Sequence, residues 1–432
     1  MTQLSRKLDT FGLTMIAVGS CIGSGIFITP AMIAGHLPSF WSILGVWFLG
    51  GLLALTGALS LAYLGILFPQ TGGVYVYLRE RYGNWSAFSY GWIVLTVITS
   101  GAIAALSLAF ARYVDFLVPL GDQGRIVLAI LAIVVVTLIN VRGVDKADMF
   151  SRIFTLVKLF GILLVIAFGI SAYGDVPAEL ASPPTSSSSG WWSAWAGAMI
   201  GVGWSYGGWH HASYVAGEAK DASRSVPRAM VIGASIVILA YVATNWSYLQ
   251  LLGPQAMAGS SAVASDAISV KHHMGANLVA LLIALSTFGT IGIYTLSAPR
   301  IYFAMAKDGV FFSGLTKVHP RFKTPVYAIF LQSIWAIILV LFWGTFEKLI
   351  TYVVFMDWVF MILAVFAVFG FYRKRETTYR IPLYPIPPLI YVGLTTLFLV
   401  RILMDQPEQA WAGLILLGLG YPVYRVFKKR NS

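Results

Sequence analysis

The sequence predicts an all-α integral membrane protein of twelve transmembrane helices, with the first and sixth broken near their middles. Three observations predict it. The 432 residues are 58% hydrophobic and only 11% charged, whereas soluble domains carry about 25% charged residues. Apolar stretches long enough to cross a bilayer, at about 20 residues each, recur along the whole chain with short loops between them. Two of these stretches have glycine-rich centres, which a continuous buried helix does not need: Gly weakens a helix interior, and a nearby Pro removes a donor.

Span 1, residues 11–35, centres on Gly23-Ser24-Gly25 and is followed by Pro30. On its own it reads equally as a broken helix whose bare amides face a polar molecule, or as a packing seam of Gly19, Gly23 and Ser24. Span 2 covers about 41–68, from Trp41 to the residue before Pro69. The segment 72–77 reads as a short interfacial helix. Span 3, about 87–114, carries the small polar patch Thr96, Thr99, Ser100 and Gly101. Span 4 is about 125–141; span 5, about 151–172, is interrupted by Lys158. Residues 173–191, with Pro183, Pro184 and four consecutive serines, form an exposed connection. Span 6, about 193–216, holds the second glycine-rich centre: Gly201, Gly203, Gly207 and Gly208. Spans 7 to 12 follow at about 230–252, 276–305, 325–343, 348–369, 386–404 and 409–427.

Charge orients these spans. With the N-terminus inside and loops alternating, all 29 Lys and Arg fall on the cytoplasmic side except mid-span Lys158 and five outer residues, Arg112, Arg125, Lys271, Lys348 and Arg401. That satisfies the positive-inside rule and puts both termini in the cytoplasm. The net charge of +12 therefore needs no nucleic acid; contact with anionic lipid heads accounts for it. The basic start at Arg6 and Lys7 precedes a segment too long for a cleaved leader, which reads as a retained first helix. Cys21 is the single cysteine, so no disulfide forms within the chain, and its mid-span position reads as packing.

Opposite orientation of the two broken spans matches an inverted repeat, spans 1–5 against 6–10, with Gly25 and Gly208 as break points. The domains follow: 1–172 the first repeat, 173–369 the second, and 370–432 helices 11 and 12 with a cytoplasmic C-terminus. A broken helix exposes amides at the start of its second half and carbonyls at the end of its first. The amides hold a carboxylate and the carbonyls an ammonium. An α-amino acid carries both groups on one carbon. The amides near Ser24, Gly25 and Ile26 would take its carboxylate. The carbonyls near Cys21 and Ile22, with those around Gly203, Trp204 and Ser205, would face its amino group. The Gly-Ser-Gly is not a phosphate loop, since no Gly-Lys-Ser/Thr follows.

The segments Gly19-Ser20-Cys21-Ile22-Gly23-Ser24-Gly25-Ile26-Phe27 and Trp204-Ser205-Tyr206-Gly207-Gly208-Trp209 resemble the amino acid–polyamine–organocation superfamily, and within it a bacterial member of the L-type amino acid transporter group. So do Ser297-Ala298-Pro299-Arg300 through Ala306-Lys307-Asp308-Gly309, Val318-His319-Pro320 with Thr324-Pro325, and Gly217-Glu218 with Pro227-Arg228. The resemblance covers essentially the whole chain. It implies a LeuT-like 5+5 fold with alternating access in the bacterial cytoplasmic (inner) membrane. It also implies sodium-independent exchange or facilitated transport of neutral L-amino acids, with no cofactor and no metal. Substrate would contact Cys21, Ile22, Ser24, Gly25, Ile26, Gly203, Trp204, Ser205 and Gly207. The family usually has Phe where Trp204 stands, a residue that closes over the substrate. The larger indole would favour small side chains such as alanine or serine, or would stack on a large one. Mammalian members pair with a glycoprotein through a cysteine between spans 3 and 4; residues 115–124 hold none, so no disulfide-linked heavy chain is expected.

Lys158 lies deep in span 5, where burying a charge costs on the order of 3 kcal/mol. The resemblance puts it beside the span 1 break, where sodium-coupled relatives hold a cation. Two readings stay open: a fixed ammonium that replaces sodium, or a proton exchanged during transport, which would make the chain a proton symporter. Ser286, Thr287 and Thr290 could face the same break. Tyr206 and Trp209 read as packing, and His210 and His211 as interfacial packing without a metal. Asp357 reads as a polar contact near a loop or helix end. Glu218 reads either as an inner-gate partner of Arg224 and Arg228 or as a solvated charge. A carrier of cationic amino acids or polyamines would want a carboxylate in the pocket, and spans 1, 3, 6 and 8 offer none. No nucleophile–base–acid set points to an enzyme, and no pore-lining ring points to a channel.

Overall fold

The computed structural model describes residues 4–171, 190–260, 262–270, 275–343, 346–374, 377, 379–405 and 407–431. The expected connection at 173–191 lies almost wholly outside the described residues, as do Lys271 and Arg375. The chain is an all-α, multi-span bundle. In order it runs α1 (Thr10–Cys21), α2 (Gly25–His36), α3 (Phe40–Leu67), α4 (Val74–Tyr82), α5 (Asn84–Ile93), α6 (Thr99–Leu117), α7 (Gly121–Val141), α8 (Val144–Ser171), α9 (Trp191–Tyr206), α10 (His211–Tyr214), α11 (Ala222–Gly259), α12 (Val263–Ser269), α13 (Gly275–Ser297), α14 (Pro299–Lys307), α15 (Val326–Trp343), α16 (Phe346–Lys374), α17 (Ile386–Asp405) and α18 (Pro407–Asn431). Nine helical segments among the described residues are long and apolar enough to cross a membrane. The shorter α9 and α15, and α18 with charge at both ends, fall outside those nine.

Local chemistry fixes the element ends. Asp9 caps α1: its Oδ1 accepts from the Gly12 amide at 2.7 Å and from Arg152 at 2.8 Å. These donors, the amide first, hold its carboxyl below the usual carboxylate range. Ser39 and Ser42 form a reciprocal capping box at the start of α3. Pro299 begins α14, where its missing N–H is one of the unused donors, so the long apolar region of span 8 is two helices. Between α5 and α6 the backbone widens into a π-turn over Val94–Ile98. The polar patch of span 3 lies at and just after this turn.

Burial sorts the spans. The segments Thr10–His36 and Asn84–Leu117 are nearly wholly enclosed, whereas α7 and α8 are about one-third buried. Their outward faces carry Val127, Leu131, Leu138, Leu156, Phe160 and Leu163, all exposed. Such a surface suits lipid and not water. The enclosed elements α1 and α2 pack on α8, α9 and α11, so the first span sits at the centre of the bundle. The segment at 72–77 is not interfacial: Val74, Tyr75, Val76 and Tyr77 are buried in the core as the start of α4.

At one face Leu8, ahead of α1, forms an isolated backbone bridge with Ala219, and Lys7 pairs with Asp145. Glu218 does not pair with Arg224 or Arg228. Both its oxygens accept from Arg300, Nε at 2.9 Å and Nη2 at 2.8 Å, and both side chains are fully buried. Sequence order brought Arg224 near, but that side chain is 77% exposed. Removing one partner of a buried ion pair leaves the other uncompensated, at about 3–5 kcal/mol. Arg300→Met is therefore expected to lower the melting temperature of the purified protein markedly, and Arg224→Met to leave it unchanged.

Candidate functional site

The two expected breaks exist and face each other. Helix α1 ends at Cys21 and α2 starts at Gly25, with Ser24 as its cap residue. The first bonds of α2 run from the Phe27 and Ile28 amides to Ser24 O. The Ser24, Gly25 and Ile26 amides therefore have no partner within the helix. Helix α9 ends at Tyr206 and α10 begins at His211. Between them Gly208 adopts φ +119°, a conformation that disfavours any side chain. The breaks are reciprocally packed. A Cβ on Gly25 would lie 2.7 Å from Ser205 Cα, and one on Gly208 would lie 2.8 Å from Ser20 C. Each break glycine thus rests on the backbone of the other span.

The carbonyls at the end of α1 are held from three sides. Lys158, 1% exposed, donates to Gly19 O at 2.8 Å and to Thr290 Oγ1 at 2.6 Å. Thr290 Oγ1 lies 3.0 Å from Ile22 O. Ser286 Oγ lies 3.5 Å from Ile22 O and 3.4 Å from Gly23 O. Thr287 instead turns its hydroxyl back to Ile283 and Ala284 of its own helix. Tyr241 on α11 places its hydroxyl 2.7 Å from Cys21 O and 3.0 Å from Ser205 O, reaching both breaks. Sequence reasoning missed Tyr241, because a lone tyrosine in an apolar span carries no spacing signal.

Ser205 joins the halves through Thr29 Oγ1 at 2.9 Å and donates to Gly201 O at 2.8 Å. Trp204 Nε1 donates to Ser24 Oγ at 3.3 Å, so the indole lies against the first break. Tyr206 donates to Trp47 O at 3.0 Å, a packing role. Gly203 packs so closely on α16 that a Cβ would lie 2.5 Å from Trp358 Cζ2. Cys21 is buried and its thiol faces Tyr206 O at 3.5 Å, out of reach of a partner's cysteine.

A cavity beside the second break is lined by Ile98 of the π-turn, Trp204, Gly207, Gly208, Tyr294 and Val354, among others. Asp357 also lines it, as does His210. One expectation is corrected here. His210 and His211 are 3% and 2% exposed, not interfacial. Asp357 makes the expected approach to a helix end: it stands 4.0 Å from Nε2 of His210, the residue before α10. The pocket carboxylate missing from spans 1, 3, 6 and 8 comes instead from α16. Apolar periodicity could not show which face of that helix turns inward. Among the described residues no three His, Cys, Asp or Glu gather as metal ligands would.

Residues 8–421 match the amino acid permease family. The serine/threonine exchanger SteT of Bacillus subtilis (strain 168) is 32% identical over 431 residues, 98% of this chain and 96% of that protein. The Asc-type amino acid transporter 1 of Mus musculus is 28% identical over 432 residues, covering 98% and 81%. The large neutral amino acids transporter small subunit 2 of Homo sapiens is 29% identical over 434 residues, covering 98% and 80%. A multi-span helical bundle built around two facing breaks, matched from Leu8 to Tyr421, is a transport protein, and the chain belongs to the amino acid permease family.

Proposed function

We propose that the chain is a sodium-independent exchanger of small neutral L-amino acids in a bacterial cytoplasmic membrane, working by alternating access. The observation that carries this reading is Lys158, whose Nζ reaches Gly19 O at 2.8 Å and Thr290 Oγ1 at 2.6 Å. An amino group built into the protein occupies the carbonyl cluster that a coupling cation would need. The substrate carboxylate meets the Ser24, Gly25 and Ile26 amides, and its ammonium meets carbonyls at the ends of α1 and α9. Trp204, already against Ser24, closes the site and limits side-chain size. The relatives whose names specify serine, threonine or neutral amino acids support this substrate class.

The architecture belongs to the same reading. The nine membrane-length segments together with α9, α15 and α18 make twelve spans. The reciprocal glycine contacts of the two breaks support a LeuT-like 5+5 repeat, 1–172 against 173–369, with 370–432 appended. The charge bias puts both termini in the cytoplasm.

Uptake into liposomes tests the function. Labelled alanine or serine is expected to enter only when unlabelled amino acid is inside, at the same rate in sodium and choline chloride and without a proton gradient. Uptake that needs sodium or an imposed proton gradient would replace exchange by ion-coupled symport. Strong preference for leucine or tryptophan would sink the small-substrate version.

A further inference from the structure

The exchange mechanism leaves unused the two most polar groups of the cavity. His210 sits in the turn between α9 and α10, and neither ring nitrogen has a hydrogen-bond partner among the described residues. Asp357 Oδ1 on α16 has none either. The 4.0 Å between His210 Nε2 and Asp357 Oδ1 is too long for a hydrogen bond, so the two do not satisfy each other. Three unpaired polar atoms in one enclosed place are unusual, because buried polar groups in folded proteins are nearly always partnered. They gather in the cavity that Trp204, Gly207 and Gly208 also line, and they line the adjoining one, which extends past Trp209 to Tyr391.

We propose that His210 and Asp357 bind the side chain of the transported amino acid and select side chains ending in a hydroxyl or carboxamide over aliphatic ones of the same shape. This rests on the exchange reading above. Trp204 touches Ser24 at the first break and also lines this cavity. A substrate with its carboxylate at the first break therefore extends its side chain past Gly207, which lines the cavity and has no side chain of its own to block it. The ligand chemistry follows from the orphans. Asp357 needs a donor. A neutral imidazole needs one donor and one acceptor, since one nitrogen carries hydrogen and the other a lone pair. A hydroxyl or a carboxamide supplies both kinds of group. A methyl supplies neither. An ammonium supplies donors only and leaves the imidazole N–H unpaired.

Threonine and valine are the probe, since they differ by a hydroxyl against a methyl. In liposomes loaded with alanine, threonine is expected to inhibit labelled alanine uptake at least about tenfold more strongly than valine, because a site built around a hydroxyl rejects the analogue lacking it. Asparagine is expected to outcompete leucine in the same way. Asp357→Val and His210→Phe are each expected to bring the threonine-to-valine ratio close to one, and Asp357→Asn to keep part of it. Thermal stabilisation of the detergent-solubilised protein by threonine against valine gives the same ratio without requiring transport. A wild-type ratio near one overturns the proposal, as does an unchanged ratio in Asp357→Val. Lysine inhibiting better than threonine overturns it in favour of a cationic side chain. Alanine exchange with no preference between threonine and valine leaves the exchange reading standing. Failure to exchange any amino acid removes both.

Discussion

Gly25→Val is expected to abolish exchange while the chain still inserts and remains monodisperse. A Cβ at Gly25 would stand 2.6 Å from Ser205 Oγ and 2.7 Å from Ser205 Cα. The hydroxyl could rotate away; the Cα could not, because it belongs to α9. Relief therefore needs α2 to move off α9 by on the order of 1 Å, and displacement of that size in a positioned site costs about 100-fold. The amides of Ser24, Gly25 and Ile26 move with the helix, so the carboxylate seat is lost along with the packing. Gly35 provides the control within the same helix: nothing lies within 4 Å of its Cβ position, and Gly35→Val should exchange like the wild type. Size-exclusion profiles and alanine counterflow measure the two properties separately. Normal counterflow in Gly25→Val would return the whole stretch to a packing seam.

Gly25 also shows what the sequence could and could not reveal. A glycine-rich centre in a membrane-length apolar stretch conflicts with a continuous helix, and that conflict located both breaks to within a few residues. Lys158 was legible for a similar reason, as a charge in a place where charge is expensive. Partnership was not legible. Arg300 and Glu218 stand far apart in the chain, and the nearer Arg224 misled. Asp357 and His210 meet because α16 turns one face toward the second break. Hydropathy around Asp357 is high on every side of that helix, so it gives no rotation. Tyr241 has the same difficulty: its ring is as apolar as its neighbours, and only its hydroxyl, seen in place between Cys21 O and Ser205 O, gives it a role.

Lys158→Met should leave a protein that inserts but exchanges on the order of 100-fold more slowly. Methionine nearly matches the length of the lysine stem, so the change removes the terminal amino group and little packing. Two buried hydrogen bonds disappear, each worth about 0.5–1.5 kcal/mol. They are the bonds that hold the carbonyl end of α1 at Gly19 and the hydroxyl of Thr290. Thr290 Oγ1 still lies 3.2 Å from Gly19 O and Thr155 Oγ1 donates to Met15 O at 3.1 Å, which is why the helix itself survives. What is lost is the fixed position of Ile22 and Gly23 relative to Ser24, on which the carboxylate seat depends. Adding sodium distinguishes a brace from a displaced coupling ion. Thr290 and Ser286 together with the Gly19 and Ile22 carbonyls would offer oxygen ligands once the amino group is gone. If sodium restores exchange in Lys158→Met and does nothing to the wild type, the lysine stands where a cation binds. If the variant exchanges at the wild-type rate in choline chloride, Lys158 braces nothing, and the case for sodium independence resting on it falls.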